Sequence, residues 1–503
     1  MRYIVTIDQS TSGTKALLID ERGAIVAKTS AVHRQSYPRP GWAEHDPEEI
    51  YANVRRLLSQ LMTESGIGWG QVSALTITNQ RETALVWDRR TGKPVYPAIV
   101  WQCRRTEDRC RQLREQGAEP LVKSRTGLLL DPYFSATKLA WILEHAPSLP
   151  PRSELMAGTI DSWLVWRLTG GAAYVTDHTN ASRTSLYNLH TNGWDAELLA
   201  LFGLEGLELP RIVSSTEVAG YPATTELPGA EHVPICGLIG DSQAALYGQR
   251  CRQPGMAKVT YGTGSSMLAY TGRTPLASEG GLVTAVAWST GEEVHYALEG
   301  IIHSSGDTMK WLRDELALFD GFEEAERLAS ALPGNDGVYL VPAFAGLGAP
   351  YWDASARAAI IGLSRGATRA HMIRAGYESI AYQVRDAAEL FHREAGIRLA
   401  QIRADGGASA SGYLMQLQAD TLQAELACAG VAELSAMGSC YLGGLATGVW
   451  ADEAELDRLA SDATTYRPLR SEADANADYA GWLAAVDRVR SERRSPAEQS
   501  PIV

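Results

Sequence analysis

The chain has 503 residues, with 46 lysines and arginines against 59 aspartates and glutamates, a formal net charge of -13. That balance excludes a general nucleic-acid binder, which needs a basic surface for phosphate contacts, so an anionic ligand must be held locally. The length exceeds what one hydrophobic core fills and fits roughly two to four domains.

In chain order, an apolar run from Tyr3 enters a first strand with no basic and apolar leader before it, so no secretory signal is expected. A glycine turn and a second run follow, giving the hairpin Ile4 to Ile19. Asp46-Pro47-Glu48-Glu49 then starts a helix, with a cap, a proline in the first turn and acids near the positive end of the dipole. Ile50, Val54, Leu57, Leu58 and Leu61 form its apolar face. A strand from Val72 to Thr78 leads into Asn79-Gln80-Arg81-Glu82-Thr83. Next come a strand from Ala84 to Asp88, a turn at Thr91-Gly92, and a strand through Ile99-Val100-Trp101. Alternation of strands and helices at this spacing predicts an α/β layered fold.

Gly248 and Pro254-Gly255 mark a boundary near residues 245 to 255. Beyond it lie a second hairpin, Lys258 to Leu268, and a buried strand expected from Val338 to Phe344. Thr368 caps a long helix expected to reach about Glu394, and Ile402 to Ala408 reads as strand, turn and helix start. Residues 491–503 read as a flexible tail. No apolar run approaches bilayer-spanning length. The six cysteines, Cys103, Cys110, Cys236, Cys251, Cys428 and Cys440, show no zinc-ligand spacing and read as reduced thiols in a cytoplasmic protein.

The two hairpins, about half the chain apart, carry most of the chemistry. In each, a β-rich run ends in small residues whose backbone N–H groups can approach an anion closely. The spacing suggests two similar lobes facing each other across a nucleotide. No G-x-x-x-x-G-K-[ST] is present and no G-x-G-x-x-G follows a first strand, so P-loop and Rossmann binding are disfavoured. Asp8, at the end of the first strand, is placed to hold a hydrated Mg²⁺ against phosphates; turn capping is the alternative. Lys15 on the return strand would neutralise phosphate charge. Asp241 opens a helix of small residues, either as a helix cap or as a base for an attacking hydroxyl. Arg81-Glu82 offers a donor fork beside an acceptor, suited to adjacent hydroxyls of a polyol, or a surface salt bridge. Tyr133 and Trp101 would add a hydroxyl contact and an apolar wall, or simply core packing.

Several longer motifs bear a family likeness: Thr78 to Thr83, Ile99 to Thr106, Asp131-Pro-Tyr-Phe-Ser135, Thr179-Asn-Ala-Ser-Arg-Thr184, Leu347 to Asp353 and Asp405-Gly-Gly-Ala408. On these the chain resembles the FGGY-family carbohydrate kinases, in their glycerol-kinase branch of the actin-like ATPase superfamily, from Ile4 to about Trp450. The signature from Tyr133 to His145 is complete; the one from Ala358 to Glu378 departs only at Gly376, inside an expected helix.

The resemblance implies an α/β fold of two actin-like (ribonuclease H-like) lobes, residues 1–248 and 249–490, closing on MgATP. It implies transfer of the γ-phosphoryl to a primary hydroxyl of glycerol or a similar polyol. Asp241 matches the family's catalytic base and Asp8 its magnesium-associated aspartate. Arg81, Glu82, Trp101 and Tyr133 match polyol contacts. Thr11, Ser12, Gly13, Lys15, Gly262, Thr263, Gly306, Lys310, Gly407 and Ser411 match nucleotide contacts. Lys15, Lys310 and Ser411 stand where arginine, glutamine and asparagine are usual. Homodimers and homotetramers are common in the family, and no membrane or nucleic-acid partner is expected.

Two departures bear on the substrate. Ser242 replaces a glutamine that touches glycerol, and Ser266 replaces a phenylalanine placed against its carbons. The resemblance therefore leaves two substrates open: glycerol, and a longer polyol or ketose in a wider, wetter pocket. In the segment Glu226 to Val233, relatives inhibited by fructose 1,6-bisphosphate carry a glycine-and-arginine loop; this acidic segment has no arginine, so no such inhibition is expected.

Overall fold

The computed structural model describes residues 1–459 and 463–491. Two main sheets organise the chain. The first has five strands, in the order Ile235–Gly240, Val72–Asn79, Tyr3–Gln9, Gly13–Asp20 and Ile25–Val32. The second has seven: Val283–Thr290, Glu293–Ile302, Ser265–Gly272, Met256–Tyr261, Gln401–Asp405, Glu425–Ala429 and Ala463–Tyr466. Each contains the same unit. Three antiparallel strands are extended by two strands parallel to the first; in the first sheet the three follow one another in sequence, whereas in the second Val283–Thr290 intervenes before the third and pairs on its outer side. The half-chain spacing of the hairpins thus reflects a repeated topology. Asp8 and Thr260 each occupy the penultimate position of the first strand of their unit.

Helix Pro47–Ser65 forms where expected, with the Asp46 carboxylate accepting the Glu48 N–H at 2.9 Å. Its predicted apolar face is buried against the first sheet. The long helix runs Arg369–Ala395 from an N-cap at Thr368 and stops at Gly396, whose φ of 67° suits glycine. Gly376 has a packing reason. A Cβ there would lie 2.6 Å from Leu312 Cδ1 and 2.9 Å from Met309 Sδ, side chains of helix Gly306–Asp314, so the two helices approach closely only without it.

Two expected strands are shorter than the sequence suggests, and one helix starts later. The strand near Trp101 covers only Ala98–Ile99, because the Trp101 N–H turns to the Thr83 hydroxyl at 3.3 Å. The strand expected to reach Phe344 covers only Tyr339–Val341, and Pro342, lacking an N–H, follows it. After Asp405 the chain makes a short 3₁₀ turn, Gly407–Ala410, before helix Gly412–Leu422 begins. Of the expected tail only Ser491 is described, and its N–H and hydroxyl both donate to Asp353, at 2.7 and 2.8 Å. Residues 492–503 lie outside the described residues. The six cysteines are buried and unpaired, and among the described residues no helix is long and apolar enough to cross a membrane.

Two helices cross between the sheets. Asp241–Gly248 continues from the last strand of the first sheet but packs on the first strands of the second. Leu434–Ala446 comes from the second half but packs on the first sheet. They touch backbone to backbone: a Cβ on Gly438 would lie 1.8 Å from the Ala244 oxygen, and one on Gly248 2.4 Å from the Leu434 oxygen.

Candidate active site

The two hairpin turns and the head of helix Asp241–Gly248 carry most of the residues singled out in the sequence. Asp8 is buried in its strand and paired in register with Lys15, whose Nζ lies 3.8 Å from the Asp8 carboxylate. Lys15 is not left to neutralise a ligand alone. It also donates to Glu433 at 2.6 Å, and Lys28 reaches the other Glu433 oxygen at 2.9 Å. Glu433 comes from the opposite half of the chain, which is why sequence reading missed it.

Burial pushes the Asp8 carboxyl up from 3.8 to about 6; Lys15 opposes the shift, while Asp241 and Glu433 add to it. A folded value above the unfolded one means that this group's contribution falls as pH rises through that window. Asp8→Asn is therefore expected to raise Tm at pH 7.5, by an amount worth up to about 3 kcal/mol at ~1.4 kcal/mol per unit. The gain should fade as pH falls from about 6 through 3.8 and be gone well below 3.8, where Asp8 is protonated in both the folded and the unfolded chain. Thermal melts across this range check it, and a pH-independent difference would refute it.

The second hairpin is braced by the start of helix Gly306–Asp314. Gly306 N–H donates to the Gly262 oxygen at 3.0 Å and Ser305 N–H to the Thr263 oxygen at 2.9 Å. A Cβ on Gly306 would sit 2.6 Å from that Gly262 oxygen, so the approach requires glycine. Gly262, Thr263 and Ser12 are exposed at the turns, and Thr11 and Gly13 are half-buried. Gly407 is also exposed, with open space where a side chain would stand. Ser411 spends its hydroxyl on capping helix Gly412–Leu422, accepting the Leu414 N–H at 3.1 Å. Lys310 lies on the exposed face of its helix.

Around Asp241 the residues expected to contact a polyol converge. Gly240, not Asp241, is the helix N-cap, so capping does not account for the carboxylate. It accepts the Ser242 N–H at 2.7 Å and lies 3.3 Å from Arg81 Nε, with its side chain one-third exposed. Trp101 Nε1 donates to the Thr11 hydroxyl at 2.9 Å, tying an expected substrate wall to the first hairpin. The Trp101 and Tyr133 rings are 5.4 Å apart.

Arg81 and Glu82 do not make a surface salt bridge; both are buried. The chain bends sharply between them, with Glu82 at a φ of 60° and Thr83 N–H donating to the Arg81 oxygen at 2.7 Å. A glutamate in the left-handed region stores strain of the kind found at functional sites. Nor is either side chain wholly free for hydroxyls. Arg81 donates to Glu299 from Nη1 at 3.1 Å and Nη2 at 2.9 Å, and Glu82 accepts from Arg183 Nε at 2.6 Å. Arg183 also pairs with Glu299 at 2.7 Å. Burial alone would raise the Glu299 carboxyl, but Arg183 and Arg81 hold it down at about 2. Ser266 donates to Glu299 at 2.8 Å.

Glu299 and Arg183 escaped sequence reading as site residues. One signal was present: Glu299 is a lone carboxylate within the apolar run Tyr296 to Ile302.

Two sheets that share an antiparallel and parallel strand unit, each carrying a glycine-rich hairpin, with Asp241 at a helix head between them, place the chain in the two-lobed actin-like fold class. The chain belongs to the FGGY family of carbohydrate kinases: the family's N-terminal domain matches residues 3–248 and its C-terminal domain residues 257–447. It is 47% identical over 492 residues to the glycerol kinase of Symbiobacterium thermophilum, covering 97% of this chain and 98% of the relative. Glycerol kinase 2 of Thermotoga maritima is 46% identical over 491 residues, 97% of this chain and 99% of the relative. The crystal structure of Plasmodium falciparum glycerol kinase with ADP superposes with a TM-score of 0.90 at 33% identity, covering 97% of this chain and 98% of that one.

Proposed function

We propose that this protein transfers the γ-phosphoryl group of ATP to a primary hydroxyl of glycerol, giving glycerol 3-phosphate and ADP in the cytoplasm. The observation that carries the reading is the meeting of Asp241, Arg81, Glu82, Trp101 and Tyr133 beside the first phosphate hairpin. Full-length relatives named glycerol kinase support it. In this reading Asp241 takes the proton of the attacking hydroxyl, and the two lobes, residues 1–248 and 249–490, close over the reactants. Thr11, Ser12, Gly13, Gly262 and Thr263 approach the phosphates; Gly306, Gly407 and the residues near Lys310 and Ser411 border the rest of the nucleotide.

Asp8 fits a magnesium site. It is a single buried carboxylate at the strand end, and Mg²⁺ is commonly held by one or two carboxylates together with waters and substrate phosphates. The ion would neutralise phosphate charge, and its presence would favour the ionised form of Asp8.

Ser266 turns its hydroxyl to Glu299, so it does not add a free polar group to the pocket. A coupled ADP-release screen over glycerol, erythritol, threitol, ribitol, xylitol, xylulose and ribulose tests the reading: glycerol is expected to give the highest kcat/KM. A pentitol or ketose ahead of glycerol would replace it, and no stimulation by any of them would sink the kinase assignment.

Regulation through the Glu226 to Val233 segment is not expected. Glu226 is engaged by the Tyr51 hydroxyl at 2.5 Å and lies 3.5 Å from Arg55. Activity should be unchanged at millimolar fructose 1,6-bisphosphate; a loss of activity abolished by mutating this segment would refute the expectation.

A further inference from the structure

We propose that Glu299 is a positioning residue for the substrate site, reaching from the second sheet to hold the Arg81 guanidinium so that Nε faces Asp241. The inference rests on the proposed transfer to glycerol. Glu299 lies in mid-strand and is fully buried, with Leu268 and Val283 as its register neighbours. A carboxylate there carries a large desolvation cost unless well paired, and packing alone would favour an apolar side chain. Its oxygens are instead saturated. Oε1 receives Arg81 Nη2 and the Ser266 hydroxyl, and Oε2 receives Arg81 Nη1 and faces Arg183 Nη1.

The geometry of that pairing has a direct effect on Asp241. A guanidinium carries five N–H donors in a rigid fork. The bidentate contact with Glu299 uses one hydrogen on each Nη and fixes the plane of the group. Nε stays 3.3 Å from Asp241 Oδ1, an ion pair without hydrogen-bond alignment, and one outer hydrogen on each Nη remains for a substrate hydroxyl. Without the Glu299 charge, the nearest carboxylates to Arg81 are Asp241 at 3.3 Å and Glu82 at 4.0 Å. The guanidinium would then turn its fork toward Asp241 and occupy the oxygen expected to take the proton. Ser266, small and hydroxylic, adds a donor to Glu299 that phenylalanine has no group to provide.

Glu299→Gln in the full-length enzyme tests this. The expected result is a glycerol kcat/KM reduced by about 10- to 100-fold, unchanged ADP affinity by calorimetry, and substantial recovery in Glu299→Asp, which restores the charge. A folded Glu299→Gln protein with kcat/KM within about two-fold of the parent, too small a change for a misplaced clamp, overturns the proposal. So does a joint loss of ADP and glycerol binding that Glu299→Asp does not repair, because that pattern marks a purely structural role. If the glutamine variant does not fold, the parent enzyme crystallised with glycerol decides: Arg81 is expected to remain bidentate on Glu299, and its departure to the substrate with both Nη groups overturns the idea. Parent enzyme that shows no glycerol-dependent ADP release removes the functional reading itself, and this inference with it.

Discussion

Asp241→Asn is expected to lower single-turnover phosphoryl transfer by about 10²- to 10⁴-fold, the range for loss of a general base, with ADP affinity little changed. Asparagine keeps the shape of aspartate and its oxygen can still accept the Ser242 N–H seen at 2.7 Å. What it loses is the ability to take a proton. Asp241 stands apart from its charged neighbours because its side chain is one-third exposed, whereas those of Arg81, Glu82 and Glu299 are buried. It is therefore the carboxylate of this cluster that an incoming hydroxyl can reach. Single turnover is the right measurement, since slow product release would hide a chemical defect in kcat. Near-normal transfer in the variant would place the proton acceptor elsewhere.

Arg183→Met is expected to destabilise the protein by about 3–5 kcal/mol, the usual result of removing one member of a buried ion cluster. Arg183 is fully buried and touches both Glu82, at 2.6 Å, and Glu299, at 2.7 Å. Methionine approximates the volume of the stem but leaves two carboxylates sharing Arg81 alone. Activity should fall as well, because the guanidinium also lies 5.9 Å from the centre of the Tyr133 ring. Urea unfolding of the variant against the parent checks the prediction through the shift of the first transition. Adding Glu82→Gln to Arg183→Met should recover part of the loss, as one uncompensated charge is removed. Equal stability of parent and single variant would mean that the cluster is far better solvated than its burial implies.

The contrast between these two residues marks what was legible in the sequence. Asp241 announced itself through local context, a carboxylate between a strand and a run of small helical residues. The hairpins, the capped helix after Asp46 and the long helix after Thr368 were readable for the same reason, since turns, caps and periodicity act over a few positions. Arg183 and Glu299 take their meaning from partners about a hundred or more positions away, and no short-range rule connects them. Glu433 is a similar case, paired with Lys15 and Lys28 from the other half of the chain. The shortened strand at Trp101 was missed because a side-chain hydroxyl took the N–H that pairing would have used. Ser266, a small residue when seen in sequence alone, has its hydroxyl engaged by Glu299 on a neighbouring strand, a pairing that local sequence does not reveal.

The exchange of helices between the two sheets has a further consequence. Residues 1–248 carry Ile4, Leu17, Ile19, Ala74, Cys236 and Ile239, which share one buried cluster with Ala436, Met437, Cys440 and Leu442 from helix Leu434–Ala446. Helix Asp241–Gly248 in turn seats its Tyr247 among Leu268, Tyr270 and Trp288 of the second sheet. Separated at residue 248, each fragment would be left with a bare apolar strip shaped for a helix that the other fragment carries. Although part of the topology is repeated, the two halves are therefore expected to need each other to fold: expressed alone each should aggregate, and expressed together they should reassemble through the crossed helices.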